Sequence, residues 1–293
     1  MKSEVFQKLL DKTSFPKELS STLINLVKDV NSPELEQTLF CFGRCEIICK
    51  SVFFPDGFYP YTFFEKARGL FDSKGILHTQ GFAGLYLLYL EKTYDLSKKL
   101  GLCEDIFTDT ASAVMLEIKQ GLCNKTPYFD YVFFANYLVL NIIRLGDIDF
   151  QNGIFDFDKD VHFDGHTVKN GQRAVYMHIP KGADISQTSR QHSYELCKMV
   201  FGNCLLICDS WLLFSEHKNM LREHSNILSL MDDFHIIAEY KTTDYSELFH
   251  VFGKNADFSD TSSLPSKTCL QKEYIKRIQK ALPIGSALGI RKV

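Results

Sequence analysis

The feature that most constrains the fold is a change of hydrophobic period near Leu145. Before it, apolar residues recur at helical spacing over residues 80–98 and 104–120. After it, short segments alternate polar and apolar residues, as half-buried strands do. A helical part followed by a strand-rich part predicts an α+β fold with two domains, residues 1–145 and 146–293.

Turn signals divide the second part into elements. Three dipeptides that favour tight turns predict hairpins, namely Asn152-Gly153, Asp164-Gly165 and Asn170-Gly171. Further along, the pattern predicts a strand over 173–179, a helix over 187–201 and a strand over 204–209. Two more extended segments are expected at 226–230 and 234–240. In the first part, a last helix is expected from after Pro127 to about Arg144.

Composition narrows the class of protein. The chain has 293 residues, is 45% hydrophobic and carries a net charge of −3, which allows a large core and argues against a broad nucleic-acid surface. No segment is long and apolar enough to span a membrane, and the first residues lack a signal-peptide core. Nine cysteines, an odd number, favour reduced thiols. We therefore expect a cytoplasmic protein with no nucleic-acid or membrane partner.

Two clusters invite a test for metal binding, and both fail it. Cys41, Cys45 and Cys49 share one face of a helix that starts at Ser32-Pro33-Glu34. Eight residues of helix rise about 12 Å, too far for three sulfurs on one zinc ion. Polar residues alternate from Asp156 to His166. Because neighbours on one strand face lie about 6.6 Å apart, a solvated strand face is favoured. No metal is expected.

Two segments are the best candidates for a functional site. The strand that ends near His178 is followed by a turn and a helix, a layout that presents backbone N–H groups to a phosphate. The next strand runs into the single tryptophan, Trp211, in Cys208-Asp-Ser-Trp. Taken alone, Trp211 also fits a buried anchor, and His178 also fits a hydrogen-bonded structural histidine. The residues therefore leave a structural and a functional interpretation open.

Several short motifs follow one another along the chain, namely His178-Ile-Pro-Lys-Gly182, Cys208-Asp-Ser-Trp-Leu-Leu213, Ser225-Asn-Ile227, Val251-Phe252, Leu264-Pro265 and Thr268-Cys-Leu-Gln271. This ordered set resembles the GNAT-like acyltransferase family of bacteria. The junction Arg144-Leu-Gly-Asp-Ile-Asp-Phe150 also resembles the corresponding segment of that family. Members combine a helical N-acyltransferase N-terminal domain with a GNAT-like C-terminal domain, whose sheet is mixed and mostly antiparallel with flanking helices.

The resemblance implies an enzyme that moves an acyl group from acetyl-CoA or another acyl-CoA to a small-molecule amine. A base is then needed to deprotonate the amine, and His178 fits that role, with Asp209 as a second candidate. The CoA phosphates would lie on the turn after His178, and a second group of residues would shape the acceptor pocket. The turn comprises Pro180, Lys181, Gly182 and Ala183, and the acceptor group comprises Ser210, Trp211 and Asn226.

Two other functions stay open at this point. The sequence lacks the Gln/Arg-x-x-Gly-x-Gly/Ala signature of ordinary GNAT enzymes, which favours a non-catalytic ligand-binding or scaffolding protein. An acyl hydrolase could instead use Cys208 or Ser210 with His178 or His224. Against the hydrolase, the Gly-x-Ser-x-Gly motif of the α/β-hydrolases is missing. The sequence does not indicate the oligomeric state.

Overall fold

The computed structural model describes residues 3–16, 61–124, 131–253 and 255–293, together with residues 25, 27, 28 and 30. The chain divides into two compact units, Met1–Leu145 and Gly146–Val293. The helix start at Ser32 and the three cysteines of the following helix lie outside the described residues. No helix among the described residues is long and apolar enough to cross a membrane.

The first unit is built from helices around one apolar core. Helix α3 (His78–Lys99) lies at its centre and is buried from Gly81 to Ser97 along most of its length. Acidic residues in the first turn of α4, Glu104 and Asp105, face the positive end of the helix dipole. The described elements are α1 (Ser3–Lys12), α2 (Tyr61–Lys74), α3 (His78–Lys99), α4 (Glu104–Asn124), α5 (Tyr131–Leu138) and strand β1 (Ile142–Leu145).

The last helix of this unit is shorter than the sequence pattern predicts. It ends at Leu138 rather than near Arg144, and a strand begins at Ile142. Leu140 between them has a positive φ of 55°, which a helix does not permit. The two β-branched residues that follow, Ile142 and Ile143, favour an extended backbone.

The second unit contains most of the strands. In the six-stranded sheet the strand order is β1-β2-β5-β6-β8-β7, and β3 and β4 form a separate hairpin. Short 3₁₀ turns cover Trp211–Leu213 and Tyr245–Leu248. The remaining elements are β2 (Ile148–Ile154), β3 (Val161–Phe163), β4 (His166–Val168), β5 (Arg173–His178), α6 (Gln187–Phe201), β6 (Leu205–Ser210), α7 (His217–Met220), α8 (Asn226–Met231), β7 (His235–Thr242), α9 (Phe249–Phe252), α10 (Cys269–Gln279) and β8 (Ile284–Lys292).

The sheet is mixed, with one parallel pair at its centre. Strand β5 pairs antiparallel with β2, and β8 pairs antiparallel with both β6 and β7. Strands β5 and β6 run parallel. Helix α6 connects them, as a parallel crossover requires. The predicted α+β class, with a mostly antiparallel sheet and flanking helices, is confirmed.

Two apolar clusters hold the second unit together near the sheet. One face of β5 and β6 packs under the β3–β4 hairpin and includes Ala174, Leu205 and Ile207. The second cluster joins α10 to the start of β8 through Tyr274 and Ile284, with Trp211 packed against it. This second cluster forms the floor beside the carboxyl ends of β5 and β6.

The three turn dipeptides have different outcomes. Asp164-Gly165 forms the predicted hairpin turn between β3 and β4, with φ values of 48° and 71°, as a type I′ turn needs. Asn152-Gly153 lies inside β2, where Asn152 pairs with Val175, so that predicted hairpin is wrong. Asn170-Gly171 joins β4 to β5, but these strands pair with β3 and β2 respectively, so no hairpin forms.

The segment 226–230 is a helix rather than the predicted strand. It forms most of α8, and the Ser225 hydroxyl caps it by accepting a hydrogen bond from the Ile227 N–H. A serine before a helix is a common N-cap, because its hydroxyl satisfies a backbone N–H of the first turn. The extended segment 234–240 is confirmed as most of β7.

Candidate active site

The parallel strands β5 and β6 part at their carboxyl ends. They pair at Val175 with Leu206 and at Tyr176 with Ile207. Beyond these positions β5 stays paired with β2 up to His178, and β6 stays paired with β8 up to Ser210. In this part of the described sheet, β5 and β6 do not pair with each other. Residues from both strand ends line a pocket at this point, which we call the opening.

His178 and Asp209 lie on one face of the sheet at this opening. Each follows an inward residue by two positions, Tyr176 on β5 and Ile207 on β6, and these two residues are paired in register. Because strand side chains alternate faces, His178 and Asp209 project to the same side at equivalent positions. Asp149 of β2 stands directly opposite His178. The three residues therefore form a row across the sheet.

His178 is half-buried and hydrogen-bonded. Its Nε2 lies 2.8 Å from Oε1 of Gln151 on the neighbouring strand β2. Burial lowers the pKa of His178 below its ordinary value, and the carboxylate of Asp149 offsets part of that effect. The imidazole is consequently neutral near pH 7, which is the form that accepts a proton.

Asp209 lies at the end of β6 and is exposed to the opening. Partial burial of its carboxylate raises the pKa of Asp209 above the ordinary aspartate value. Burial also raises the pKa of the adjacent Cys208 thiol, which is completely buried in the strand. A thiolate is therefore disfavoured at Cys208, and this position does not suit a cysteine nucleophile.

Trp211 forms a wall of the site and rests on buried partners. Its ring stacks on His250 with centroids 6.2 Å apart and an angle of 13°. It meets His217 edge-on at 5.9 Å. Below it, Nε2 of His217 lies 2.8 Å from the Tyr274 hydroxyl, and both of those residues are fully buried. The tryptophan is thus both a packed anchor and a surface of the pocket.

A pocket of about 540 Å³ lies where the strands part. Of the residues predicted from the sequence, His178, Asp209, Ser210 and Trp211 line it. Its remaining lining is mainly aromatic and aliphatic, with one lysine and one glutamate. That remaining lining comprises Met177, Ile179, Leu212, Tyr240, Lys241, Thr242, Glu247, Leu248, His250, Tyr274, Ile284, Gly285 and Ser286.

The turn after His178 leads into helix α6 beside the pocket. Lys181 in this turn is exposed. Two carboxylates already accept hydrogen bonds at the helix start. Asp184 accepts from the Ser186 N–H at 2.8 Å, and Asp147 accepts from the Ser189 hydroxyl at 2.6 Å. These carboxylates compete with any anion for the positive end of the helix dipole.

A buried arginine holds this turn in place. Arg190 of α6 donates to the Ile185 carbonyl at 2.5 Å and to the Asp233 carboxylate at 2.8 Å. It also donates to the backbone and hydroxyl oxygens of Ser229 in α8. Its charge is therefore compensated, and one side chain ties the end of the turn to a second helix.

Two predicted residues lie elsewhere. Asn226 is exposed at the first position of α8 and does not line the pocket. His224 is exposed with a positive φ of 69° and likewise does not line it. Ser210 lines the pocket, but its hydroxyl accepts a hydrogen bond from the Leu212 N–H, which caps the following turn. No three His, Cys, Asp or Glu side chains converge as a metal site in the part of the chain that is described.

Several lining residues carry no recognisable signal in the sequence. Glu247 and His250 come from the segment after β7, and Tyr274 comes from α10. Their approach to Trp211 depends on how these segments pack on the sheet. Gln151 could not be predicted for a different reason, since a glutamine on a strand indicates no function until its hydrogen-bond partner, His178, is known.

Comparisons with known proteins agree with this architecture. The family model described as the GNAT-like C-terminal domain matches residues 142–291, which is half of the chain. The chain belongs to this family. No curated protein matches the sequence.

Several solved structures are similar to the chain in fold. One is an acyltransferase in complex with decanoyl-CoA and teicoplanin, with 16% identity and a TM-score of 0.63 over 97% of this chain and 93% of that one. Another, in complex with CoA and 10C-teicoplanin, has 14% identity and a TM-score of 0.61 over 98% of each chain. A third, in complex with decanoyl-CoA, has 16% identity and a TM-score of 0.58 over 71% of this chain and 64% of that one. At such identities the likeness shows a shared fold.

Proposed function

We propose that the chain transfers an acyl group from acyl-CoA to an amine in the pocket where β5 and β6 part. The observation that carries the proposal is the opening itself, with His178 and Asp209 on one face of it. The family assignment and the acyl-CoA complexes of the similar structures support the same chemistry. A cytoplasmic location, expected from the odd number of cysteines, is part of the proposal.

The reaction needs little from the protein beyond positioning, polarisation and a base. A backbone N–H at the opening would donate to the thioester carbonyl and stabilise the charge that develops there. The amine nitrogen attacks the carbonyl carbon, the C–N bond forms and the C–S bond breaks. The CoA thiolate leaves, and the proton from the amine goes to the base.

His178 is the proposed base, with Asp209 as the second candidate. A neutral imidazole in the pocket is matched to proton transfer near pH 7. Asp209 stands at the equivalent position of the neighbouring strand, where its carboxylate would attract an ammonium group. Ser210 and Trp211 would shape the acceptor pocket. Asn226 does not line the pocket, so it would contact an amine substrate only where that substrate extends beyond the pocket.

The turn after His178 is the proposed site for the CoA phosphates. Pro180, Lys181, Gly182 and Ala183 directly follow the strand that carries the base, and the first turn of α6 adds backbone N–H groups. Lys181 would supply a cation. The two nearby carboxylates, Asp147 and Asp184, would weaken this site but leave the amides of Gln187 and Thr188 next to it.

The experiment is product analysis by mass spectrometry. The protein is incubated with acetyl-, octanoyl- or decanoyl-CoA and a panel of primary amines, and both acylated amine and released CoA are measured. We expect acylated product, and we expect His178→Gln to lower kcat by about 100-fold or more, as loss of a general base does. His166→Gln, at an exposed histidine of β4, is the matched control. Full turnover by His178→Gln would remove His178 as the base.

A scaffold that binds no CoA is the second candidate, and the carboxylates at the start of α6 favour it. Isothermal calorimetry with CoA separates the two functions. Heat from CoA binding that disappears when the protein is first mixed with excess decanoyl-CoA would support the transferase. The scaffold predicts no heat from either compound at concentrations up to about 1 mM, where even weak ligands bind.

A further inference from the structure

Gln151 links strand β2 to the imidazole of His178. Its Oε1 lies 2.8 Å from His178 Nε2, and both side chains are half-buried. In the register of the pair, Gln151 stands opposite Tyr176, so it shares a face with His178 and lies one diagonal step away. The distance and the placement define a hydrogen bond across the two strands.

The partner atom decides which ring nitrogen carries the proton. An amide oxygen accepts hydrogen bonds and cannot donate them, so the Nε2–H of His178 is the donor. In a neutral imidazole the other nitrogen, Nδ1, then holds the lone pair. Burial favours this neutral form over the imidazolium.

We propose that Gln151 is a positioning residue that holds His178 in the Nε2–H tautomer, so that Nδ1 is the atom that receives the proton of the attacking amine. The role of the amine rests on the proposed function, whereas the tautomer of His178 does not. When Nδ1 gains the proton, the ring becomes cationic and Nε2–H continues to donate to Gln151. That hydrogen bond then becomes charge-assisted and stronger, which stabilises the protonated base.

Other charged and titratable groups also face His178. Asp149 lies directly across from it on β2, and its carboxylate favours the imidazolium. Asp209 lies at the equivalent position on β6. The groups on the remaining walls of the pocket are Lys241, Glu247, His250 and Tyr274. A pH measurement must therefore compare variants at Gln151 with the wild type under identical conditions.

The direct test is ¹⁵N NMR of the histidine rings in the full-length protein without ligand. His178→Gln identifies the His178 signals. We expect a protonated Nε2 and an unprotonated Nδ1 in the wild type. Gln151→Met keeps the size of the side chain but removes the acceptor, so its His178 signals should move toward a mixture of tautomers. Gln172→Met, at a half-buried glutamine in the turn before β5, is the matched control and should leave the signals unchanged.

Kinetics with the fastest donor and amine give the second readout. Gln151→Met should lower kcat by about tenfold, the worth of one good hydrogen bond, with KM for the donor unchanged. Gln151→Glu places a carboxylate on Nε2 and should move the acidic limb of the kcat/KM profile up by about one pH unit. Circular dichroism and thermal unfolding establish that each variant is folded.

The outcomes separate the two proposals. A wild-type His178 protonated on Nδ1, or a Gln151→Met protein with the same His178 signals as Gln172→Met, overturns the role of Gln151. A wild-type Nε2–H tautomer that is lost in Gln151→Met supports it, even if no amine is acylated. If the tautomer is lost in Gln151→Met but no amine is acylated, the proposed transferase activity fails while the tautomer assignment stands.

Discussion

His217 shows how one residue supports the pocket without lining it. It is fully buried, and its Nδ1 lies 3.3 Å from the Leu212 carbonyl while Nε2 lies 2.8 Å from the Tyr274 hydroxyl. The carbonyl accepts, so Nδ1 carries the proton and Nε2 accepts from Tyr274. The bond from Tyr274 requires a neutral ring, because Nε2 must hold a lone pair, and burial lowers the pKa of His217 to about 4.

This burial predicts a pH dependence of stability. Because the pKa of His217 is about 6.5 when unfolded and about 4 when folded, the unfolded state binds more protons between these values. The stabilisation is complete above about pH 6.5 and is lost as the pH falls toward 4. It amounts to about 3 kcal/mol in full, of which about 2 kcal/mol is lost between about pH 7 and pH 5.

The measurement is denaturant unfolding of wild type and His217→Gln at about pH 7 and pH 5. The variant should be less stable at the higher pH, and the difference should narrow by about 2 kcal/mol at the lower pH. His166→Gln controls for the loss of an exposed imidazole. A difference that stays constant with pH would contradict the buried neutral histidine.

One part of the pocket lining could be predicted from the sequence, and another part could not for a physical reason. His178 ends β5, Asp209 is the penultimate residue of β6 and Trp211 follows β6, and those strand ends meet because the strands are parallel neighbours. Tyr274 and His250 lie more than thirty residues farther along the chain, and their contact with Trp211 arises from packing that has no local pattern. Gln151 acts through register, which a single sequence leaves open.

Among the elements, the turn between β5 and α6 is the one that we propose binds the CoA phosphates. Lys181→Ala should raise the Kd for CoA by about threefold to tenfold, because it removes one charge-assisted contact.

Asp184→Asn keeps an acceptor for the Ser186 N–H but removes a negative charge, so it should lower the Kd for CoA. Calorimetry at low and high salt measures both, with Lys169→Ala, at an exposed lysine before β5, as the control. Equal affinities for all three variants would exclude the turn as the phosphate site.

Two glycines in helices predict opposite effects of the same substitution. A Cβ on Gly69 of α2 would meet nothing within 4 Å, so Gly69→Ala should stabilise the protein by about 1 kcal/mol through helix propensity. A Cβ on Gly81 of α3 would lie 2.6 Å from the buried ring of Phe71. Gly81→Ala should therefore destabilise by about 1–3 kcal/mol from overpacking. Thermal unfolding of the two variants compares them, and stabilisation by both would contradict the packing of α2 on α3.

The predicted elements differ in outcome according to how local their signals are. Helix α6 begins and ends at the predicted residues, because Ser186 caps it and Gly202 follows it. The Asn152-Gly153 pair carries a strong turn signal, yet β2 continues through it, since pairing with β5 stabilises an extended backbone there. Tertiary pairing overrides local propensity at that site.

At the scale of the whole molecule, the change of period near Leu145 predicted the fold class because it reflects two different ways of burying apolar surface. The helical part buries long stretches such as α3, whereas the later part buries short strands, such as β5 with Ala174, Val175 and Met177 buried. The order of strands in the sheet had no such signal. Strand β8, the last in the chain, lies between β6 and β7, an arrangement set by long-range pairing.

A crystal structure of the protein with bound CoA is the decisive experiment for the proposed active site. We expect the thiol of CoA to lie between the carboxyl ends of β5 and β6, beside His178 and Asp209, with the phosphates on the turn of Pro180 to Ala183. Binding of CoA at any other surface, with this opening closed or filled by side chains, would contradict it.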